Sequence, residues 1–290
     1  PPRSTLFPYT TLFRSNKSGI PYNISIPRDF SINHIESFIN SPYSATAFIG
    51  AGGCGKSIMI SQAINILWFS EMPIYPNDIV WFFDASMISG LTVYGFDFAK
   101  WISSQIGIAP NNNYRKYFSL NKSQRKGRMI LIIDSVDEIT ERGGKLNDIF
   151  NTIISLIALN DETPWYKIIL TMRNNTWKKF VSAQNDFPII QEQWFSVNFK
   201  FYSKLYDNVD MLNEYEILQI INKYCSLLTI ELSERVKKSL NPNMLRFLSY
   251  PKYLQFFLNL IRDNNKLVSD VEVIKRSEEH TSELQSPNTI

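Results

Sequence analysis

The run Gly50-Ala-Gly-Gly-Cys-Gly-Lys-Ser57 places four glycines, one lysine and one hydroxyl within eight residues. Glycine costs backbone entropy on folding, so such a density needs a reason. One reason is an anion. Without side chains in the way, successive backbone N–H groups can turn toward a phosphate and cradle it. Lys56 adds a compact positive charge for the β- and γ-phosphates, and Ser57 adds a hydroxyl that suits Mg²⁺. Gly50, Gly52, Gly53, Cys54, Gly55, Lys56, Ser57 and the following Ile58 are therefore the candidate nucleotide-binding residues. Cys54 reads as a small filler within the loop, since nothing in the sequence marks a resolving partner for redox chemistry.

A second constellation is acidic. In "MILIIDSVDEI", Asp134 closes an apolar run, and Asp137 and Glu138 follow within four residues. Three carboxylates beside one phosphate site repel unless a cation or proton is shared among them. Asp134 is the candidate Mg²⁺ ligand with Ser57, and Glu138 is the candidate general base that orients an attacking water. Asp137 is the second candidate for that base.

These groups need elements to hold them. Ala45 to Ile49 reads as a strand into the glycine loop, and Ile60, Ala63, Ile64 and Leu67 mark the inner face of a helix out of it. That strand–loop–helix context is what a P-loop requires, because the helix N-terminus offers its positive end to the same anion. Further apolar runs predict strands at Ile79 to Phe83, at Met129 to Ile133, over "YKIILTMR" and over "QWFSVNF". Helical periods in "FDFAKWISSQIGI" and "KLNDIFNTIISLIAL" fall between them. Apolar strands alternating with helices predict an α/β class, a doubly wound parallel sheet with an ASCE/AAA-like P-loop core. In such sheets ligands sit just beyond the C-terminal strand ends, where Asp134 falls. After about Tyr202 the periods are all helical, which predicts an NTPase domain over 16–201 and a helical subdomain over 202–275.

The chain opens PPRSTLFPYTTLFRS and closes RSEEHTSELQSPNTI. Both ends resemble in-frame translations of the two common short-read sequencing adapters. Residues 1–15 and 276–290 are therefore expected to be adapter-derived, and Asn16 to Lys275 an insert truncated at both ends. These ends leave the net charge of +3 unchanged, because Arg3 and Arg14 offset the excess of Glu278, Glu279 and Glu283 over Arg276. So mild a basic balance argues little about partners. Lys122, Arg125, Lys126 and Arg128 crowd one polar loop without interleaved aromatics, which reads as a solvated loop more than a nucleic-acid footprint. Two cysteines make no disulfide framework and fit a reducing, cytoplasmic compartment. No apolar run approaches the roughly 18–20 residues that span a bilayer. His34 reads as an ordinary exposed or capping residue.

The acidic run makes a resemblance specific. An apolar run followed by Asp134-Ser135-Val136-Asp137-Glu138 resembles the Walker B region of the NACHT branch of the STAND signal-transduction NTPases. "ILTMR" is similar to that family's sensor strand, which ends Thr-Ser-Arg. Thr171 and Arg173 match, and Met172 departs from the usual small residue. "SYPKYLQFF" resembles the family's Pro-x-x-Leu segment through Pro251 and Leu254, with Ser249 where a glycine is often found. The resemblance runs from about Phe48 to Ile261. It implies that Thr171 belongs to the nucleotide site, that Arg173 senses the γ-phosphate, and that Pro251 packs on the adenine or ribose. It also implies ATP/ADP and Mg²⁺ as ligands and slow hydrolysis. Self-association on activation follows, with effector and sensor domains elsewhere in a longer chain and, by analogy, a role in antiphage defence. ATP is preferred to GTP because no Asn-Lys-x-Asp run stands at a strand end. The alternative is an AAA-like loader or transposition helper acting on DNA. A small-molecule kinase fits less well, since the acidic run suits activated water.

Overall fold

A computed structural model of the chain describes residues 25–83, 127–138, 166–183, 193–195, 208–227 and 230–264. Between them it describes Asn147, Phe150, Asn151, Ile153, Ile154 and Ile157, all helical. The two terminal stretches read as adapter-derived, the helix read over "FDFAKWISSQIGI", and Lys122, Arg125 and Lys126 lie outside the described residues. Contacts group the chain into two units. One contains Arg28–Ala51 and Met59–Val209, and the other contains Gly52–Ile58 and the chain from Asp210 onward.

The first unit is built on a parallel sheet of β1 (Ala45–Ile49), β2 (Ile79–Phe83), β3 (Met129–Ile133) and β4 (Tyr166–Met172), in the order β1-β4-β3-β2. The strands stand where the apolar runs place them. Every residue of β1, β3 and β4 is buried, and edge strand β2 is only partly so. That pattern explains why these strands read as continuous apolar runs: both faces are covered. Each fully buried isoleucine in β3 contributes on the order of 1.5–3 kcal/mol of transfer free energy. Of the fifth strand read over "QWFSVNF", the described residues show one isolated parallel bridge, Trp194 to Ala45. Helix α1 (Asp29–Ile39) buries Ile35, Phe38 and Ile39. Helix α2 (Lys56–Ile64) continues into a π-helical turn at Asn65–Phe69. Helix α3 (Asn174–Ala183) follows β4 directly, and its Trp177 and Phe180 pack edge-on to Trp194 with ring centroids 5.3 and 5.6 Å apart.

The entry to β3 depends on a close approach. A Cβ on Gly127 would lie 1.8 Å from the carbonyl oxygen of Asn77, so only glycine fits there. The next residue, Arg128, does not serve as part of a free basic patch. Its backbone N–H donates to Asp78 Oδ1 at 2.7 Å and its guanidinium donates to the Ile39 carbonyl at 2.6 Å.

In the second unit, α4 (Glu214–Cys225), α5 (Ile230–Ser239), α6 (Pro242–Leu248) and α7 (Pro251–Asn264) share a core. Asn213 and Glu216 form a reciprocal capping box at the start of α4, an arrangement worth about 1 kcal/mol. Leu254, Phe257, Leu258 and Ile261 are spaced three and four apart on α7 and are all buried. The Tyr224 hydroxyl ties α4 to α7 by donating to the Leu258 carbonyl at 2.8 Å. No described helix is long and apolar enough to cross a membrane.

Candidate functional site

Within the first unit, the C-terminal edge of the sheet gathers the acidic residues and the start of the glycine loop. Gly50, just past β1, donates its N–H to the carbonyl of Met172 at the end of β4 (3.4 Å). Asp134, just past β3, is 6% exposed, and its N–H donates to the Phe83 carbonyl at the end of β2. The acidic turn is folded against β4. The Thr171 hydroxyl donates to Asp134 Oδ1 at 2.5 Å and accepts from the Ser135 N–H at 2.8 Å, and the Thr171 carbonyl accepts from the Val136 N–H at 3.1 Å. Ser135 has φ 57°, and it alone among the described non-glycine residues has a positive φ. That conformation costs roughly 1–3 kcal/mol and persists only where neighbours fix it.

Asp137 and Arg173 meet here too. Asp137 Oδ1 accepts from the Arg173 backbone N–H at 3.0 Å, and Oδ2 lies 2.8 Å from Nε. With both oxygens engaged, Asp137 is poorly placed to take a proton from water. Glu138, the other candidate base, begins a helical turn, and its N–H donates to the Ser135 carbonyl at 2.9 Å. Thr171 is fully buried, and its hydroxyl is engaged both by Asp134 and by the Ser135 N–H.

In the second unit the loop is wound as an anion cradle needs. Gly53 and Gly55 have φ 79° and 86°, conformations that side chains resist. Lys56 is buried to 9% exposure, with Nζ 3.7 Å from the sulfur of the buried Cys54. Cys54 is itself buried, at 2% exposure. The Tyr250 hydroxyl donates to the Gly52 carbonyl, and a Cβ on Gly55 would stand 3.7 Å from Pro251. Pro251 is buried and opens α7, a position proline favours. It lies beside the glycine loop.

His34 differs from its sequence reading. It is half-buried, with Nε2 2.8 Å from Thr46 Oγ1 and its ring edge-on to Phe48 and Phe195. Burial lowers its pKa to about 4. Lys167 is a buried lysine in β4 that sequence reasoning passed over. Its ammonium donates to the Ser41 and Tyr43 carbonyls at 2.6 Å each, just past the end of α1. Burial lowers its pKa to about 8.

Among the described residues no group of three or more His, Cys, Asp or Glu is gathered to hold a metal. Mg²⁺ in nucleotide sites needs no such cage: one or two hard oxygen ligands suffice alongside substrate phosphates and water. The Asp134 carboxylate, buried at the sheet edge, is an oxygen donor of that kind.

The crystal structure of Cdc6p from Pyrobaculum aerophilum is similar at 11% identity and TM-score 0.50, over 88% of this chain and 66% of that one. The fold is that of a P-loop NTPase core. A Walker-type ATPase of Pyrococcus abyssi also matches, at 15% identity and TM-score 0.46, over 89% of this chain and 72% of that one. The ORC2 protein of Aeropyrum pernix matches at 11% identity and TM-score 0.48, over 90% and 69%. The chain thus spans about two thirds of the length of the Cdc6p structure. No family model and no curated protein matches it.

Proposed function

We propose that this chain is the nucleotide-binding module of a signal-transduction switch of the STAND, NACHT-like kind, binding ATP and hydrolysing it slowly. The observation that carries the reading is the organised acidic turn at the sheet edge, where Asp134 is oriented by Thr171 and Asp137 grips Arg173. The glycine loop with its two left-handed glycines supplies the matching chemistry for phosphate.

In this reading the loop N–H groups and Lys56 bind the phosphates. Ser57 and Asp134 are the protein ligands for Mg²⁺, which when bound neutralises charge on the phosphate oxygens. Glu138 orients the attacking water and takes up its proton. Arg173 distinguishes ATP from ADP through the γ-phosphate, and differential affinity of this sort is what any nucleotide-driven change of state requires. Pro251, beside the loop, contacts the base or ribose. Self-association in the ATP state would bring together effector domains carried elsewhere in the longer chain. The two buried free thiols, Cys54 and Cys225, suit a cytoplasmic protein, and defence against phage is the setting this architecture suits.

The test is turnover measured with molar mass, in ADP and in a non-hydrolysable ATP analogue. Slow hydrolysis with a larger species in the analogue is expected. Rapid turnover by a monomer, stimulated by DNA, would instead select the DNA-acting ATPase described above.

A further inference from the structure

We infer that Thr171 is the positioning residue of the metal-binding carboxylate: its hydroxyl sets the orientation of Asp134 and shapes the turn that carries Asp134 to Glu138. The inference rests on the reading of Asp134 as the Mg²⁺ ligand and goes beyond it, because it assigns what makes that carboxylate competent.

A hydroxyl has one proton and two lone pairs. The Ser135 N–H points at Thr171 Oγ1 from 2.8 Å and can only donate, so it takes a lone pair. The hydroxyl proton is then free to point at Asp134 Oδ1, 2.5 Å away, and Oδ1 must be the acceptor. A carboxylate with one oxygen held in this way is restricted in torsion before any ion arrives.

Packing alone does not require threonine. Thr171 lies in the middle of a buried run, between Leu170 and Met172, and all three are 0% exposed. Valine has the same shape, prefers strands equally and carries no polar atom to bury. The hydroxyl is needed only by the acidic turn. Three hydrogen bonds join Thr171 to residues 134–136, and the residue at their centre, Ser135, is held at φ 57°. Strain of that kind needs a template, and Thr171 is the template.

The experiment uses the full chain and four side chains at this position: threonine, valine, serine and alanine. Thr/Val and Ser/Ala are two pairs that each differ by the hydroxyl, so if Thr171→Val fails to fold, Thr171→Ser against Thr171→Ala still decides. ADP affinity is measured by calorimetry in EDTA and across a MgCl₂ titration. Loss of an outer-shell partner typically weakens metal binding 10–100-fold. The expected result is a shift of the Mg²⁺ midpoint by at least roughly tenfold in the variants without a hydroxyl, with ADP affinity in EDTA unchanged and Thr171→Ser close to wild type. An unshifted midpoint in Thr171→Val or Thr171→Ala overturns the inference while leaving Asp134 as ligand. So does a serine variant as impaired as alanine. A wild-type protein whose ADP affinity ignores Mg²⁺ would remove the underlying reading, and the inference with it.

Discussion

Asp137 holds Arg173 by two different atoms, accepting the backbone N–H on Oδ1 and meeting Nε on Oδ2. The carboxylate is only 11% exposed and the guanidinium 47%, so the pair straddles the boundary between protein and solvent. Such a pair is worth little as an ion pair alone, on the order of 0–1 kcal/mol. Its value is geometric, since it fixes where the arginine leaves the end of β4. Asp137→Asn is therefore expected to keep turnover within about tenfold, whereas loss of a true general base costs roughly 10²–10⁴. A single-turnover ATPase assay separates the two. A hundredfold loss in Asp137→Asn would return Asp137 to the role of base.

Lys56→Ala should abolish tight nucleotide binding, and Glu138→Gln should preserve binding while stopping turnover. The two predictions differ because, in the proposed mechanism, Lys56 acts on the bound ground state and Glu138 only on the reacting water. Equilibrium binding of a fluorescent ADP, followed by phosphate release, checks both. Unchanged affinity in Lys56→Ala would end the assignment of the phosphate loop.

Gly55→Ala tests the cradle itself. At φ 86° a side chain is strained whatever room it has, and the room here is ordinary, with Pro251 3.7 Å from the new Cβ. The cost is therefore conformational, roughly 1–2 kcal/mol. It is expected as a drop of about 2–3 °C in melting temperature together with weakened ADP binding. Full affinity with an unaltered melt would mean that the loop holds its ligand in a different conformation.

Much of this arrangement was legible in the residues because its causes are local. Strands β1, β3 and β4 are buried on both faces, so they had to be unbroken apolar runs, and the loop had to be glycine-rich wherever φ turns positive. The position of Asp134 was readable because it directly follows such a run and so falls at the C-terminal edge of the sheet. What escaped was set by partners distant in sequence. The engagement of Asp137 depends on Arg173, and the role of Thr171 on residues 134–136. Lys167 sits in an apolar strand and is tolerated because two carbonyls past the end of α1 converge on its ammonium. Gly127 is required by the backbone at Asn77, across the strand pair. Nothing within a few residues of any of these announces its partner.

His34 gives a pH dependence whose sign can be worked out. The Thr46 hydroxyl donates its proton to the Phe195 carbonyl at 3.0 Å, so Nε2 of His34, 2.8 Å away, must be the donor to Thr46. The ring is thus the neutral Nε2–H tautomer, edge-on to both Phe48 and Phe195. Its folded pKa, lowered by burial to about 4, lies below the ordinary value of 6.5. Between these values the unfolded chain binds the extra proton and the folded one does not. Stability contributed by the neutral ring is therefore complete above pH 6.5 and is lost as pH falls toward 4, by at most about 3 kcal/mol. His34→Gln keeps a donor toward Thr46 but cannot titrate. Urea midpoints compared at pH 7.5, 5.5 and 4.5 should fall more steeply in the wild type than in the glutamine variant. Parallel slopes would show that acid unfolding is driven by other groups and that His34 is no more than a packed ring.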